Sequence, residues 1–253
     1  MTGFPVLLRK ELLEQVRTWR LVVVVIVFAI FGIGSPALAR YTPELVKALA
    51  GNQFSIQVPT PTVADAVAQF LKNLGQTGIL AAVLLAMGSV ATEKERGTAA
   101  LLLTKPASRG AFLSAKLVAI AITLAAGIVA AGIAGYVYTA LLFSAPAIAG
   151  YAAMSGLLLL SLVGYTSLTF LGSTFVRSPL PAAAIGVGAM LVLAIVSALP
   201  TIGPNAPGNL NGPATALALG KAADGLIGPL LATIGLIVVA YLLAWLAFRR
   251  QEL

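Results

Sequence analysis

The chain has 253 residues, 59% of them hydrophobic and only 9% charged, with a mean hydropathy of +1.00. Soluble domains carry roughly 25% charged residues, so this composition excludes an ordinary soluble domain and points to a protein that lives in a bilayer. The net charge of +8 does not make it a nucleic-acid binder, because its Lys and Arg residues lie between apolar runs and form no basic face or stripe.

There is no Cys and no His. Disulfides, thiol chemistry and Cys-based metal sites are excluded, as are the commonest metal ligand and the usual proton shuttle. No catalytic residue, metal site or cofactor is expected.

Residues 1–20 come first. Phe4, Leu8, Leu12, Val16 and Trp19 recur at helical spacing, and Arg9, Lys10, Glu11, Glu14, Arg17 and Arg20 fill the other faces. This pattern predicts an amphipathic helix in the membrane interface, with Trp19 at headgroup level and lipid as a partner. The plainer alternative is a basic flank of the first span.

Six apolar runs follow: Leu21–Ala39, Gly75–Thr92, Leu117–Phe143, Ile148–Val176, Leu180–Leu199 and Leu226–Phe248. Each is close to or above the ~20 residues that cross a bilayer as a helix. The predicted fold class is therefore an all-α membrane protein with six transmembrane helices, forming one transmembrane domain over 1–253. Ser35-Pro36-Ala37-Leu38-Ala39 resembles a signal-peptidase site. The run before it is longer than a usual signal core, which favours a retained span.

The connections carry their own signals. In the first loop, residues 40–74, Thr62 or Asp65 is placed to cap a helix entering the second span. Only Ser144–Ala147 separates the third and fourth runs, with Pro146 as a stop, which predicts a tight helical hairpin. The fifth loop, residues 200–225, is rich in Gly, Pro and Asn, and its segment Ala214–Ala223 suits a short helix. Leu217 and Leu219 are its candidate anchors on the membrane face.

Charge sets the orientation. Twelve of the sixteen Lys and Arg residues fall on one side: Arg9, Lys10, Arg17, Arg20, Lys94, Arg96, Lys105, Arg109, Lys116, Arg177, Arg249 and Arg250. Arg40, Lys47, Lys72 and Lys221 fall on the other. This bias predicts a multi-pass protein of the cell inner (cytoplasmic) membrane with both termini in the cytoplasm, and loops 40–74 and 200–225 outside.

Between the second and third spans, residues 92–110, the chain reads Glu93-Lys94-Glu95-Arg96-Gly97-Thr98, then Leu101-Leu102-Leu103, then Pro106, Ser108 and Arg109. Four consecutive charges leave the hydrocarbon. Gly97 permits a turn, Thr98 can cap a short apolar helix, Pro106 ends it, and Ser108 can cap the next helix. A short cytoplasmic helix with leucines between charged ends is well shaped for a groove on a partner protein. Positive-inside sorting alone would explain the cations but not Glu93, Glu95 or the order of the helix signals.

The run from Glu93 to Lys116 resembles the hallmark of type-2 ABC transporter permeases, matching at Glu93, Glu95, Arg96, Gly97, Thr98, Leu101, Leu102, Leu103, Pro106, Ser108, Arg109 and Lys116. Ala99 and Ala107 depart mildly from that pattern. The family also has six spans, inner termini and an amphipathic first helix. The resemblance implies that Glu93, Glu95, Arg96, Gly97, Thr98, Leu102, Pro106, Ser108 and Arg109 form a coupling helix that docks on a separate nucleotide-binding ATPase subunit. It also implies a second permease subunit, as homodimer or heterodimer, and export as the direction.

Ser161, Tyr165, Thr169 and Ser173 stand four residues apart on one side of the fourth span. They are candidates for a translocation path, or for gluing helices together. Two other classes of function compete. An intramembrane enzyme lacks any His, Cys, Asp or Glu within the apolar runs for acid–base work. A self-contained secondary transporter or channel generally needs ionisable groups at depth.

Overall fold

A computed structural model of the chain describes residues 3–50, 60–97 and 108–251. Among these the only regular structure is helix: α1 (Phe4–Arg17), α2 (Arg20–Ala50), α3 (Val63–Met87), α4 (Ala91–Glu95), α5 (Arg109–Leu142), α6 (Ile148–Phe175), α7 (Pro179–Ser197), a 3-10 turn (Gly203–Asn205), α8 (Asn211–Ala218) and α9 (Ile227–Arg249). Six helical segments are long and apolar enough to cross a membrane: Arg20–Leu45, Val63–Glu95, Arg109–Leu142, Ile148–Phe175, Pro179–Ser197 and Ile227–Arg249. The all-α, six-span expectation holds.

Two helices outrun the apolar runs that predicted them. α2 passes through Pro36 and Pro43, continuing the helix past Ala39. Ser35 and Pro36 are buried in its middle, so the peptidase-like sequence is built into a span. α3 starts at Val63, twelve residues before the apolar run, because Thr62 and Asp65 fix its first turn. The Asp65 carboxylate accepts from the Thr62 N–H at 2.7 Å and from its hydroxyl at 2.8 Å. Much of the expected loop 40–74 is therefore helical. Polar residues along that extension find partners, with Gln69 donating to Asn73 at 3.1 Å and Asn73 to the Ser35 hydroxyl at 3.0 Å.

The core sits between α2, α3, α5 and α6. Phe28, Phe70, Leu74, Leu113, Leu124, Met154, Leu162 and Phe170 are all buried there. Phe70 meets Tyr151 ring to ring at 5.4 Å. α7 contributes little to this core, and Leu180, Leu191 and Ile195 on it are exposed. In a membrane such faces meet lipid or another subunit.

α1 packs against α5 and α2 with an unexpected face. Glu11 and Gln15 are its buried residues, whereas Val6, Leu13 and Val16 are exposed. Its polar side meets the protein, and its apolar stripe points away from the bundle, where hydrocarbon would cover it. Trp19, between α1 and α2, adopts a left-handed φ of 61°, a conformation that costs a non-glycine residue about 1–2 kcal/mol.

The 200–225 connection folds back onto the bundle. Ala206, Leu210, Ala214 and Ala218 are buried, and α8 packs on α6. Gly150 on α6 lies directly beneath the Leu217 carbonyl, with no room for a side chain. Leu217 and Leu219 are only half-buried, so the anchor is the small-residue face of α8 and not the leucines. Gly208, at φ 82°, donates its N–H to the Thr233 hydroxyl at 2.9 Å. Amide exchange over residues 203–218 is expected to be slowed by this packing. Uniformly fast exchange across 200–225 in the detergent-purified protein would contradict the folded-back arrangement.

Candidate coupling and translocation site

The charged residues of the 92–110 segment do not all face the same way. Within the 33-residue segment Val63–Glu95 the backbone breaks at Gly88–Val90, between α3 and α4. Ser173 of α6 holds that break, accepting from the Val90 N–H at 3.1 Å and the Ala91 N–H at 2.9 Å. Lys94 ties α4 to the same helix by donating to the Thr174 carbonyl at 2.9 Å. Those two links leave α4 with one side toward the bundle and one toward solvent.

Glu93 turns inward and meets Lys116 of α5 at 2.7 Å and Lys10 of α1 at 3.3 Å. Lys116 also contacts both carboxylate oxygens of Glu11 at 3.1 Å. Lys10 completes the cluster at 3.0 Å from Glu11 and 3.5 Å from Glu14. The Lys116 side chain is only 4% exposed, so its charge is held almost entirely by these carboxylates. Burial by itself would pull the Lys10 pKa down, but Glu11, Glu93 and Glu14 outweigh it and hold the ammonium above its ordinary range. A raised folded-state value means the pairing stabilises the fold at every pH below the ordinary lysine value. It is lost only as pH climbs through the higher folded one.

Glu95, Arg96 and Gly97 are exposed. Gly97 takes a left-handed φ of 68°, as a turn leaving α4 requires. Thr98, Leu101, Leu102, Leu103 and Pro106, the body of the expected coupling helix, lie outside the described residues. The chain is described again from Ser108, whose hydroxyl accepts the Ala111 N–H at 3.1 Å and caps α5. Arg109 donates to the carbonyls of Phe248, Arg249 and Gln251 at 3.1, 2.6 and 3.2 Å. A cation there adds a donor to the carbonyls at the C-terminus of α9 and complements its dipole. The two ends of the 98–107 segment are thus anchored to α1 and α6 on one side and to α9 on the other.

Sequence reasoning singled out Glu93 and Arg109 but missed the inward cluster of Glu11, Lys10 and Lys116. A signal was present. Lys116 is the last charge before an uncharged run of sixty residues from Leu117 to Val176, and a lysine at the mouth of such a run either reaches the headgroups or takes a carboxylate partner.

The four hydroxyl residues of α6 divide between two environments. Ser173 holds the α3–α4 break, and Thr169 packs so tightly on Gly186 of α7 that no side chain fits there. Ser161 and Tyr165 instead line a cavity of about 430 Å³ between α3, α6 and α8, toward the end of the bundle opposite α1. Lys72, Gln76, Asn211 and Thr215 add polar groups, over a floor that includes Leu71, Ile79, Leu158 and Leu162. No cluster of three or more His, Cys, Asp or Glu able to hold a metal ion occurs among the described residues.

A family model described as ABC-2 family transporter protein matches residues 6–218, from α1 through α8. The chain belongs to that family. An ABC-2 membrane protein is the permease part of an ABC transporter, which makes this chain a multi-pass transport subunit. It is also similar to the "Uncharacterized transmembrane protein YxlG" of Bacillus subtilis (strain 168). The two are 30% identical over 186 residues, which cover 72% of this chain and 71% of that protein.

Proposed function

We propose that this ABC-2 permease works as the membrane half of an ATP-driven exporter, moved at residues 92–110 by a separate nucleotide-binding ATPase on the cytoplasmic side. Both termini then lie in the cytoplasm, in the inner membrane, in keeping with the Lys and Arg bias. The carrying observation is the buried cluster of Lys116, Glu11, Glu93 and Lys10, set at the root of the coupling segment. A push on that segment reaches α4 through Glu93 and α5 through Ser108 and Arg109. From there it spreads to α1 by the ion pairs, to α6 by Ser173 and to α9 by the Arg109 clamp.

At the far end of α3 and α6, the same movement reshapes the cavity holding Ser161 and Tyr165. That cavity is our candidate for part of the translocation path, with a second permease subunit opposite. Its polar rim and apolar floor suit an amphiphilic cargo. Thr169 and Ser173 serve the helix contacts instead.

The test is reconstitution. The purified chain alone is expected to show no ATP hydrolysis above background and to gain it only with its partner. No Gly-x-x-x-x-Gly-Lys-[Ser/Thr] loop exists in the sequence to cradle a nucleotide. Glu95→Lys, on the exposed side of α4, is expected to weaken coupled hydrolysis without changing stability. Unchanged partner binding and unchanged hydrolysis in that variant would remove Glu95 from the interface. Cargo accumulation by the chain alone under an ion gradient would overturn the ATP-driven reading.

A further inference from the structure

The cavity of about 430 Å³ between α3, α6 and α8 carries a charge of one sign. Lys72 supplies it, and no Asp or Glu among the described residues lines the cavity. Lys72 forms no ion pair with a described residue. It also borders a smaller recess of about 360 Å³ that holds Asp65. Asp65 is occupied elsewhere, since its carboxylate accepts from the N–H and the hydroxyl of Thr62. It stands about two helical turns from Lys72 along α3.

The uncharged polar groups of the cavity differ in what they still offer. The Ser161 hydroxyl donates to the Leu157 carbonyl at 3.1 Å, and the Thr215 hydroxyl to the Asn211 carbonyl at 2.8 Å. Neither proton is left for an occupant. Gln76 follows Lys72 by one turn on the same face of α3. Its amide and that of Asn211 donate to no described residue. The Tyr165 hydroxyl also has no described partner. A Cβ on Gly208 would stand 2.7 Å from that hydroxyl, so only glycine leaves the phenol its place in the wall.

What remains is one ammonium and three neutral donors, above Leu71, Ile79, Leu158 and Leu162. A cationic head would meet Lys72 as a like charge beside an apolar floor, where water screens it least. A neutral head would gain only ordinary hydrogen bonds, whereas an anion makes them with charge on one or both sides, which roughly doubles their strength.

We propose that the cavity takes an amphiphile with an oxyanion head, a carboxylate or a phosphate ester, and that Lys72 selects it over neutral and cationic amphiphiles with the same tail. The head sits among Lys72, Gln76, Asn211 and Tyr165, and the tail lies over the apolar floor. This assignment rests on the cavity being part of the translocation path, and it names the class of cargo.

The experiment uses the absence of cysteine from the chain. Gly212 lines the cavity, and a Cβ there would have nothing within 4 Å. Gly212→Cys therefore sets a single thiol in the wall without a clash. Ser144→Cys, exposed on the α5–α6 turn, reports effects outside the cavity. The full chain in phosphatidylcholine nanodiscs is labelled with an uncharged maleimide in mildly alkaline buffer, in the presence of dodecanoate, dodecanol or dodecyltrimethylammonium. Dodecanoate should slow labelling of Gly212→Cys at lower concentrations than the other two, and none should slow labelling of Ser144→Cys. Adding Lys72→Met should raise the dodecanoate concentration required about fivefold, as for one partly solvated charged hydrogen bond, and leave dodecanol unaffected. Lys72→Arg should keep the selectivity. Equal protection by all three amphiphiles, or no effect of Lys72→Met, overturns the head assignment while the cavity still admits cargo. No protection by any of them overturns the translocation-path reading as well. A second set of nanodiscs contains phosphatidylglycerol. Protection by that lipid alone, with no further effect of dodecanoate, makes the occupant a resident lipid and overturns the cargo assignment.

Discussion

Replacing Lys116 with Met is expected to destabilise this permease by about 3–5 kcal/mol, the usual range for removing one partner of a buried ion pair. The reason is what stays behind. Glu11 and Glu93 have side chains only 10% and 14% exposed, and Lys116 is their most buried counter-charge. Without it, two mostly buried carboxylates lose the ammonium they share. The Lys116 ammonium also lies over the Phe112 ring, 5.1 Å from its centroid. Met is of similar length and carries no charge, so the loss reports on charge. Lys10→Met makes the comparison, because its side chain is 41% exposed and pairs at such positions contribute about 0–1 kcal/mol. Thermal unfolding in detergent should therefore fall steeply for Lys116→Met and little for Lys10→Met. Adding Glu11→Gln to Lys116→Met should recover part of the loss, since it removes one of the stranded charges. Equal melting of Lys116→Met and the unaltered chain would show that the cluster does not hold α1 to the bundle.

The sequence made the spans legible because the bilayer imposes a length and a polarity that no soluble core demands. Hydropathy alone did not set the helix ends beyond hydrocarbon. Nothing in it stops α2 at Ala39, whereas Thr62 and Asp65, legible in the sequence as a cap, do start α3 outside any apolar run. Direction was not legible. The charges of α1 were placed on the faces away from its apolar stripe, and only the structure shows that Glu11 and Gln15 face the protein, where α5 brings Lys116 to Glu11 and α4 brings Glu93 to Lys116. Helical spacing shows which residues share a face, but what covers that face depends on contacts more than a hundred positions away, as Glu11 to Lys116 is. Arg109 illustrates the same limit. Its position in the motif was plain, whereas its clamp on Phe248, Arg249 and Gln251 depended on where α9 ends. The α6 hydroxyls were visible as a row, and only the placement of α7 and α8 split that row into packing and cavity-lining residues.

Gly32→Leu should have an effect of similar size through a different cause. α2 and α5 form the most extensive helix pair in the bundle, and they approach closely at Gly32. A Cβ there would stand 2.6 Å from the carbonyl oxygen of Ala131 and 2.9 Å from its Cα. Both atoms belong to helix backbone, so no rotamer change can make room and the two helices must part. Gly127 repeats the pattern on the facing helix, where a Cβ would meet Phe28 at 2.8 Å and Val24 at 2.9 Å. In a membrane this geometry matters more than in water. Lipid tails are as apolar as leucine, so close packing replaces the hydrophobic drive between helices. Overpacking typically costs about 1–3 kcal/mol, occasionally more, and contact with rigid backbone places Gly32→Leu at the upper end. The helix supplies its own control two residues on, since a Cβ on Gly34 would have nothing within 4 Å. Gly34→Leu adds the same side chain to the same helix and should be tolerated. Thermal unfolding and monodispersity after purification compare the two. The seam also bears on coupling, because Ala131 and Lys116 lie on one helix, about four turns apart. A parted α2–α5 pair would tilt the helix that carries the buried cation, so Gly32→Leu protein that survives purification should also lose partner-stimulated ATP hydrolysis. Equal stability and activity of Gly32→Leu and Gly34→Leu would show that the α2–α5 seam is looser than this structure describes.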